Sequence, residues 1–289
     1  MDQRKQYLTP MFCLLIIFSC KPNRISSNPT TNSSKHFVLV HGSCHGAWSW
    51  YKLIALLKSS GHTITALDLA ASGVDLNRAN DLPSISDYFK PLRKFMAGLH
   101  LHERVILVAH SLGGLAISQA MEIFPHKISV AVFVTALMPG PALNISTLNQ
   151  ESFRRQNSLM DSRYTYDNGP NKPPTTFVFG PLYLASRVYQ FSPPEDLALA
   201  TVLMRPRPLF SEEDMYRELI VSEKRYGSVN RVYIVSEKDM VGTKDFQWWM
   251  IERNKPNGVV EIKGSDHMVM MSKPLELCFH LQAIAEEYS

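Results

Sequence analysis

Residues 104–120 join two incompatible patterns at one point. Val105, Ile106, Leu107 and Val108 form an apolar, β-branched run of the kind a buried strand needs. Leu115, Ala116, Ile117 and Ala120 belong to a helix-compatible run with small residues. Between them stands His110-Ser111-Leu112-Gly113. A strand that turns at once into a helix must bend sharply. A serine at that corner holds its hydroxyl clear of the sheet, as a nucleophile elbow does. The bend is crowded, so small residues are needed two places before and two places after the serine. Ala109 and Gly113 occupy those places, with Ala109 where the pattern usually has glycine. A phosphate-binding turn would want more glycines and often a lysine, and neither is present. A plain strand–helix turn with an idle serine stays open on this stretch alone.

The rest of the chain repeats the alternation. Phe37-Val38-Leu39-Val40 reads as a strand running into the small-residue loop His41-Gly42-Ser43-Cys44-His45-Gly46. A helix follows from Trp48 to Leu57, ended by Gly61. Further strands are expected at 63–67, 128–134, 230–235 and 258–262. Helices are expected from Ser84 or Ser86 to about Leu99, with Pro91 splitting or kinking it, and at 212–221, 244–253 and 274–287. Across 136–210 the alternation stops, and ten prolines fall there. A structureless loop of that length is rare in a compact domain, so the stretch reads as an inserted cap of short helices and a small hairpin. Phe177-Val178-Phe179 is its candidate strand and 194–203 its candidate helix. Four strands before the cap and two after it predict an α/β fold, a mainly parallel central sheet with helices on both faces.

Three residues then fall just beyond strand ends in the order Ser111, Asp239, His267. Catalytic groups of such sheets gather at the C-terminal strand ends. The order is that of an α/β-hydrolase triad. Serine needs a base within hydrogen-bond reach, and histidine titrates in the useful range. The histidine needs a carboxylate to fix its tautomer. Asp245 and Asp266 are rivals to Asp239. Asp245 falls on a helix, and Asp266 adjoins the histidine and should point away from its ring. His110, beside the serine, is badly placed to serve as its base. Oxyanion donors are expected at the Leu112 N–H, where the helix begins, and at Ser43 in the loop after the first strand. No metal-binding or dinucleotide motif is present, so no cofactor is implied.

The 289 residues suffice for one large domain, and 45% of them are hydrophobic. The net charge of +4 is scattered without an arginine stripe, which argues against a nucleic-acid surface. Residues 1–35 differ in character. Arg4 and Lys5 precede the apolar run 11–18, which is too short to span a bilayer, and a polar stretch follows. The layout suits a targeting segment or an untidy extension before the domain at 36–288. Of four cysteines only Cys44 and Cys278 lie in that domain, which is no disulfide framework and favours a reducing, cytoplasmic setting.

Several stretches together are similar to the plant methylesterase and hydroxynitrile lyase family of α/β-hydrolases. They are His36-Phe37-Val38-Leu39-Val40-His41-Gly42, Cys44-His45-Gly46-Ala47-Trp48, His110-Ser111-Leu112-Gly113-Gly114, Lys127-Ile128-Ser129-Val130-Ala131-Val132-Phe133, Glu223-Lys224-Arg225-Tyr226-Gly227-Ser228-Val229 and Asp266-His267-Met268. Among the branches, the chain looks closest to polyneuridine aldehyde esterase and the salicylate and jasmonate methylesterases. The resemblance implies hydrolysis of methyl esters of small apolar carboxylates, with methanol as leaving group. The family's lyases carry a threonine and a lysine where this chain has Gly42 and Met268, which argues against cyanide elimination. It also implies a substrate pocket under the cap, for which Leu137, Phe153, Leu159, Phe177 and Phe210 are candidates beside Gly42 and Met268. Homodimers occur among such relatives. A lyase, or a binding protein with a slow triad, are the alternatives.

Overall fold

The computed structural model describes residues 34–155 and 158–288. The targeting-segment expectation falls on residues 1–35, and of these 1–33 lie outside the described residues. Six strands form one parallel sheet: β1 (His36–Val40), β2 (Thr63–Leu67), β3 (Val105–His110), β4 (Ile128–Val134), then, after three short cap strands, β8 (Arg231–Ser236) and β9 (Gly258–Ile262). Their order across the sheet is β2-β1-β3-β4-β8-β9, and every neighbouring pair is parallel. The chain steps outward from β1 to β2, then returns to the other side of β1 for β3. The order therefore reverses between β1 and β3, the position where open α/β sheets leave a crevice beyond the strand ends.

Strand periodicity builds two cores from the same strands. Phe37 and Leu39, Ile106 and Val108, Val130, Val132 and Val134, and Val232 and Ile234 face one side. There they meet Leu53 and Leu57 of the helix Tyr51–Ser59 and Leu277, Leu281 and Ile284 of the helix Pro274–Glu287. Val38 and Val40, Leu107 and Ala109, Ala131 and Phe133, and Tyr233 and Val235 face the other. That side is covered by the helices Lys90–Gly98, Gly113–Ile123 and Lys244–Arg253. Burial on both faces is why β3 and β4 are nearly all apolar rather than alternating.

Helix boundaries follow local chemistry. Ser84 caps a single turn, Ile85–Tyr88, by accepting from the Asp87 N–H at 3.1 Å. Pro91 sits at the start of the next helix, so the expected split is real. Gly61 follows the end of the helix Tyr51–Ser59 with φ +86°. The helix expected over 212–221 stops at Glu218, whose carbonyl instead accepts from Gln119 Nε2 at 3.1 Å. A short helix, Val269–Ser272, was not foreseen.

The cap holds the helices Ile145–Arg155 and Pro194–Leu203 and a three-stranded antiparallel sheet. Its strands are β5 (Arg163–Thr165), β6 (Thr176–Val178) and β7 (Arg207–Pro208), with β6 in the centre. A hairpin was expected, and a third strand joins it from thirty residues further along the chain. Asp196, fully buried in the cap, accepts from Lys52 Nζ at 2.5 Å and from the Tyr51 hydroxyl at 2.7 Å. These bonds tie the cap helix to the helix that follows β1. Among the described residues no helix is long and apolar enough to cross a membrane.

Candidate active site

β3 ends at His110, and the helix Gly113–Ile123 begins three residues later. Ser111 between them has φ +53°, a left-handed conformation that a non-glycine residue adopts only under constraint. The constraint comes from neighbours on both sides. A Cβ on Gly113 would stand 2.6 Å from the His41 carbonyl, and one on Gly114 would stand 2.0 Å from the Leu137 carbonyl. Ala109 is different. It lies within β3, opposite Val40 and Phe133, and its methyl is fully buried in the core.

Asp239 follows β8 in a tight turn. Its Oδ1 accepts from the Val241 N–H at 2.7 Å and the Gly242 N–H at 3.0 Å. Its Oδ2 accepts from the Thr135 hydroxyl and from His267 Nδ1 at 2.8 Å. Because a carboxylate only accepts, this last bond places the proton of neutral His267 on Nδ1 and leaves Nε2 as the basic nitrogen. Both residues are at most 4% exposed. Gln247 braces the Asp239 turn by donating to the Ser236 and Gly242 carbonyls. The Ser236 hydroxyl reaches across to the Asp266 carbonyl at 2.8 Å, holding the two loops together.

The rivals are otherwise engaged. Asp245 is exposed and ion-paired with Arg155. Asp266 accepts from the Phe191 N–H, the Ser192 hydroxyl and the Met268 N–H, so it joins the cap to the His267 loop. His110 donates from Nε2 to the His267 carbonyl at 2.8 Å, and burial pushes its pKa well below the ordinary value. It positions the His267 backbone and stays neutral.

Ser111 and His267 open on one cavity of about 440 Å³, together with Ser43, Leu112 and Thr135. The hydrogen bond between Ser111 and His267 is not closed in this conformation, and such bonds commonly tighten only around substrate. Leu112 stands where the helix starts, so its N–H belongs to the first turn, which lacks intrahelical acceptors. The Ser43 loop is held by buried histidines. His45 donates from Nδ1 to the Ser43 carbonyl at 2.7 Å and meets the Tyr189 hydroxyl at 2.7 Å through Nε2. His41 bonds the Gly42 carbonyl and accepts from the Leu69 N–H. Burial lowers the pKa of both, that of His45 to about 4.

Leu137, Phe153, Phe177 and Phe210 line the cavity, as do Phe179, Tyr183 and Leu209. Three expected lining residues do not. Gly42 lies beneath the elbow, where a Cβ would stand 2.8 Å from His110 Nδ1 and 2.9 Å from Ser111 Cβ. Met268 is fully buried in the core of the second face, because the Asp266 carboxylate captures its N–H and turns the chain inward. Leu159 packs at the edge of that same core. Thr135 went unforeseen. A polar residue directly after the apolar run Val130–Val134 was the available signal, and its φ of +41° marks another constrained position. Among the described residues, no three His, Cys, Asp or Glu side chains converge as metal ligands would.

The Alpha/beta hydrolase family model matches residues 37–280. The chain belongs to the α/β-hydrolase family. It is 58% identical over 256 residues to methyl jasmonate esterase 1 of Vitis vinifera, covering 88% of this chain and 98% of that one. The crystal structure of tomato methylketone synthase I complexed with 2-tridecanone superposes with a TM-score of 0.86 at 53% identity, covering 89% of this chain and 99% of that one. Polyneuridine aldehyde esterase gives a TM-score of 0.81 at 39% identity, covering 87% and 99%. This α/β-hydrolase is a serine hydrolase acting on carboxylic esters, of the methylesterase and polyneuridine aldehyde esterase group.

Proposed function

We propose that the enzyme hydrolyses methyl esters of small apolar plant carboxylates through Ser111, His267 and Asp239. The observation that carries this is the 2.8 Å bond from His267 Nδ1 to buried Asp239, with His267 sharing its cavity with the elbow serine. His267 Nε2 takes the Ser111 proton as Oγ attacks the ester carbonyl. The oxyanion forms against the Leu112 N–H and the Ser43 loop. The tetrahedral intermediate expels methanol, protonated by His267. Water, deprotonated by the same nitrogen, then releases the free acid and restores Ser111. A cavity of about 440 Å³ lined by phenylalanine and leucine suits a medium-sized apolar acyl group.

The lyase alternative is weaker. Met268 is fully buried in the core, and the cavity lining among the described residues holds one cation, Arg207, which rests on the Phe177 ring. A second reading has one specific support: a histidine-to-alanine variant of tomato methylketone synthase I has been crystallised with β-ketoheptanoate. A β-keto methyl ester hydrolysed at Ser111 would give an acid that loses carbon dioxide readily. Methanol release from methyl jasmonate, methyl salicylate, methyl indole-acetate and a β-keto methyl ester tests both readings. Turnover of at least one ester, lost in Ser111→Ala, is the expected result. A methylketone from the β-keto ester would mark the second reading. Hydrolysis that survives in Ser111→Ala would refute both.

A further inference from the structure

Arg207 is unusual among the cavity residues. It lies on β7, opposite Phe177 of β6, and its guanidinium rests 5.5 Å from the Phe177 ring centroid. Its Nε is buried and has no hydrogen-bond partner. Nη1 donates to the adjacent Pro208 carbonyl at 3.2 Å. Among the described residues no carboxylate stands within ion-pair distance of it. The Cys44 thiol and the Tyr88 and Tyr164 phenols feel its charge, and burial holds all three in their neutral forms. A guanidinium has five N–H donors, and one placed among apolar groups is ordinarily matched by a carboxylate or several acceptors. The aromatic face offsets part of that need and leaves the buried Nε unfilled.

Arg207 also sits at a junction. It lines the cavity of Ser111 and His267, and it lines a second, more enclosed chamber of about 260 Å³. Leu112, Phe153, Leu209 and Phe210 are shared between the two spaces. An acyl group whose ester lies at Ser111 and whose far end passes Phe210 would bring that end to the guanidinium.

We propose that Arg207 determines specificity by receiving an acceptor oxygen, a ketone or a carboxylate, at the end of the acyl group remote from the scissile ester. This rests on the methylesterase reading. The arrangement favours apolar esters with a polar terminus over plain alkyl esters of equal length. Ground-state and transition-state binding of that terminus are equal, since it lies away from the reacting atoms. Its loss therefore raises KM and leaves kcat nearly in place.

The test uses three nine-carbon methyl esters: methyl nonanoate, methyl 8-oxononanoate and monomethyl azelate. The wild-type enzyme should prefer the keto or the carboxy ester over the alkyl ester in kcat/KM by about 10- to 100-fold, the range of a hydrogen bond to a charged group. Arg207→Met should abolish that preference through KM, and Arg207→Lys should restore part of it. The keto and carboxy arms distinguish a neutral from an anionic terminus. Equal loss on all three esters, with a lowered melting temperature, would make Arg207 structural and overturn the proposal, as would a wild type without preference. Should the wild type hydrolyse none of the three, calorimetry with azelate and 8-oxononanoate separates the cases. Binding that Arg207→Met loses would uphold the Arg207 assignment without the esterase reading, and no binding would end it.

Discussion

Both carboxylate oxygens of Asp239 are occupied, two bonds to backbone N–H groups and two to side chains. That fixes the carboxylate in place and, through it, the His267 ring. Asp239→Asn would keep the shape and donate where it should accept, forcing His267 into the wrong tautomer. The expected loss in kcat is about 10⁴-fold, with a normal melting temperature. Thr135→Val removes one donor to Oδ2 and keeps the β-branched shape. A fall of about three- to tenfold in kcat is expected, with KM little changed and Thr135→Ser restoring activity. Steady-state kinetics on any turned-over ester would check both. At this scale the sequence was partly legible. Ser111, Asp239 and His267 stood out because each falls in the turn or loop that follows a readable strand. Thr135 did not, because nothing local says that a loop threonine faces a carboxylate a hundred residues away.

The elbow shows which small residues the element demands. Gly114→Ala would drive a methyl into the Leu137 carbonyl, so a loss of about 2–4 kcal/mol is expected in denaturant unfolding. Ala109→Gly removes a methyl that fits a packed strand. It should lower stability by about 0.5–1 kcal/mol and leave the elbow conformation alone, since the bend begins after β3. The six strands of the main sheet were readable because each is a local apolar run with turn signals at its ends. The cap sheet was not. Its strands are two or three residues long, and β7 pairs with β6 across thirty residues of chain, so no periodicity accumulates. The misplacement of Gly42, Leu159 and Met268 has the same origin. They lie in loops, and tertiary contacts decide which side of a loop meets the cavity.

Across the molecule, three buried histidines other than His267 stay neutral around the site, and this sets an acid limit on stability. His45 has a folded pKa of about 4 against 6.5 for an exposed histidine. The unfolded chain therefore binds the extra proton between those values. The His45 contribution is fully present above pH 6.5 and is lost as pH falls toward 4, amounting to on the order of 2 kcal/mol by pH 5. His41 and His110 act in the same direction. Calorimetric melting temperatures should fall steadily from pH 6.5 to pH 4.5. His45→Gln should melt lower at pH 7, having lost its bonds to Ser43 and Tyr189, and show a flatter dependence below pH 6.5. A slope unchanged in that variant would show that His45 does not set the acid limit. In the proposed mechanism Ser111 carries the acyl group through the reaction. Intact-mass analysis of enzyme quenched early in turnover of p-nitrophenyl butyrate, followed by peptide mapping, reads this out. A single butyryl group is expected on the peptide containing Ser111, absent in Ser111→Ala. Turnover without any adduct on Ser111, or an adduct on another residue that reacts at the catalytic rate, would contradict that mechanism.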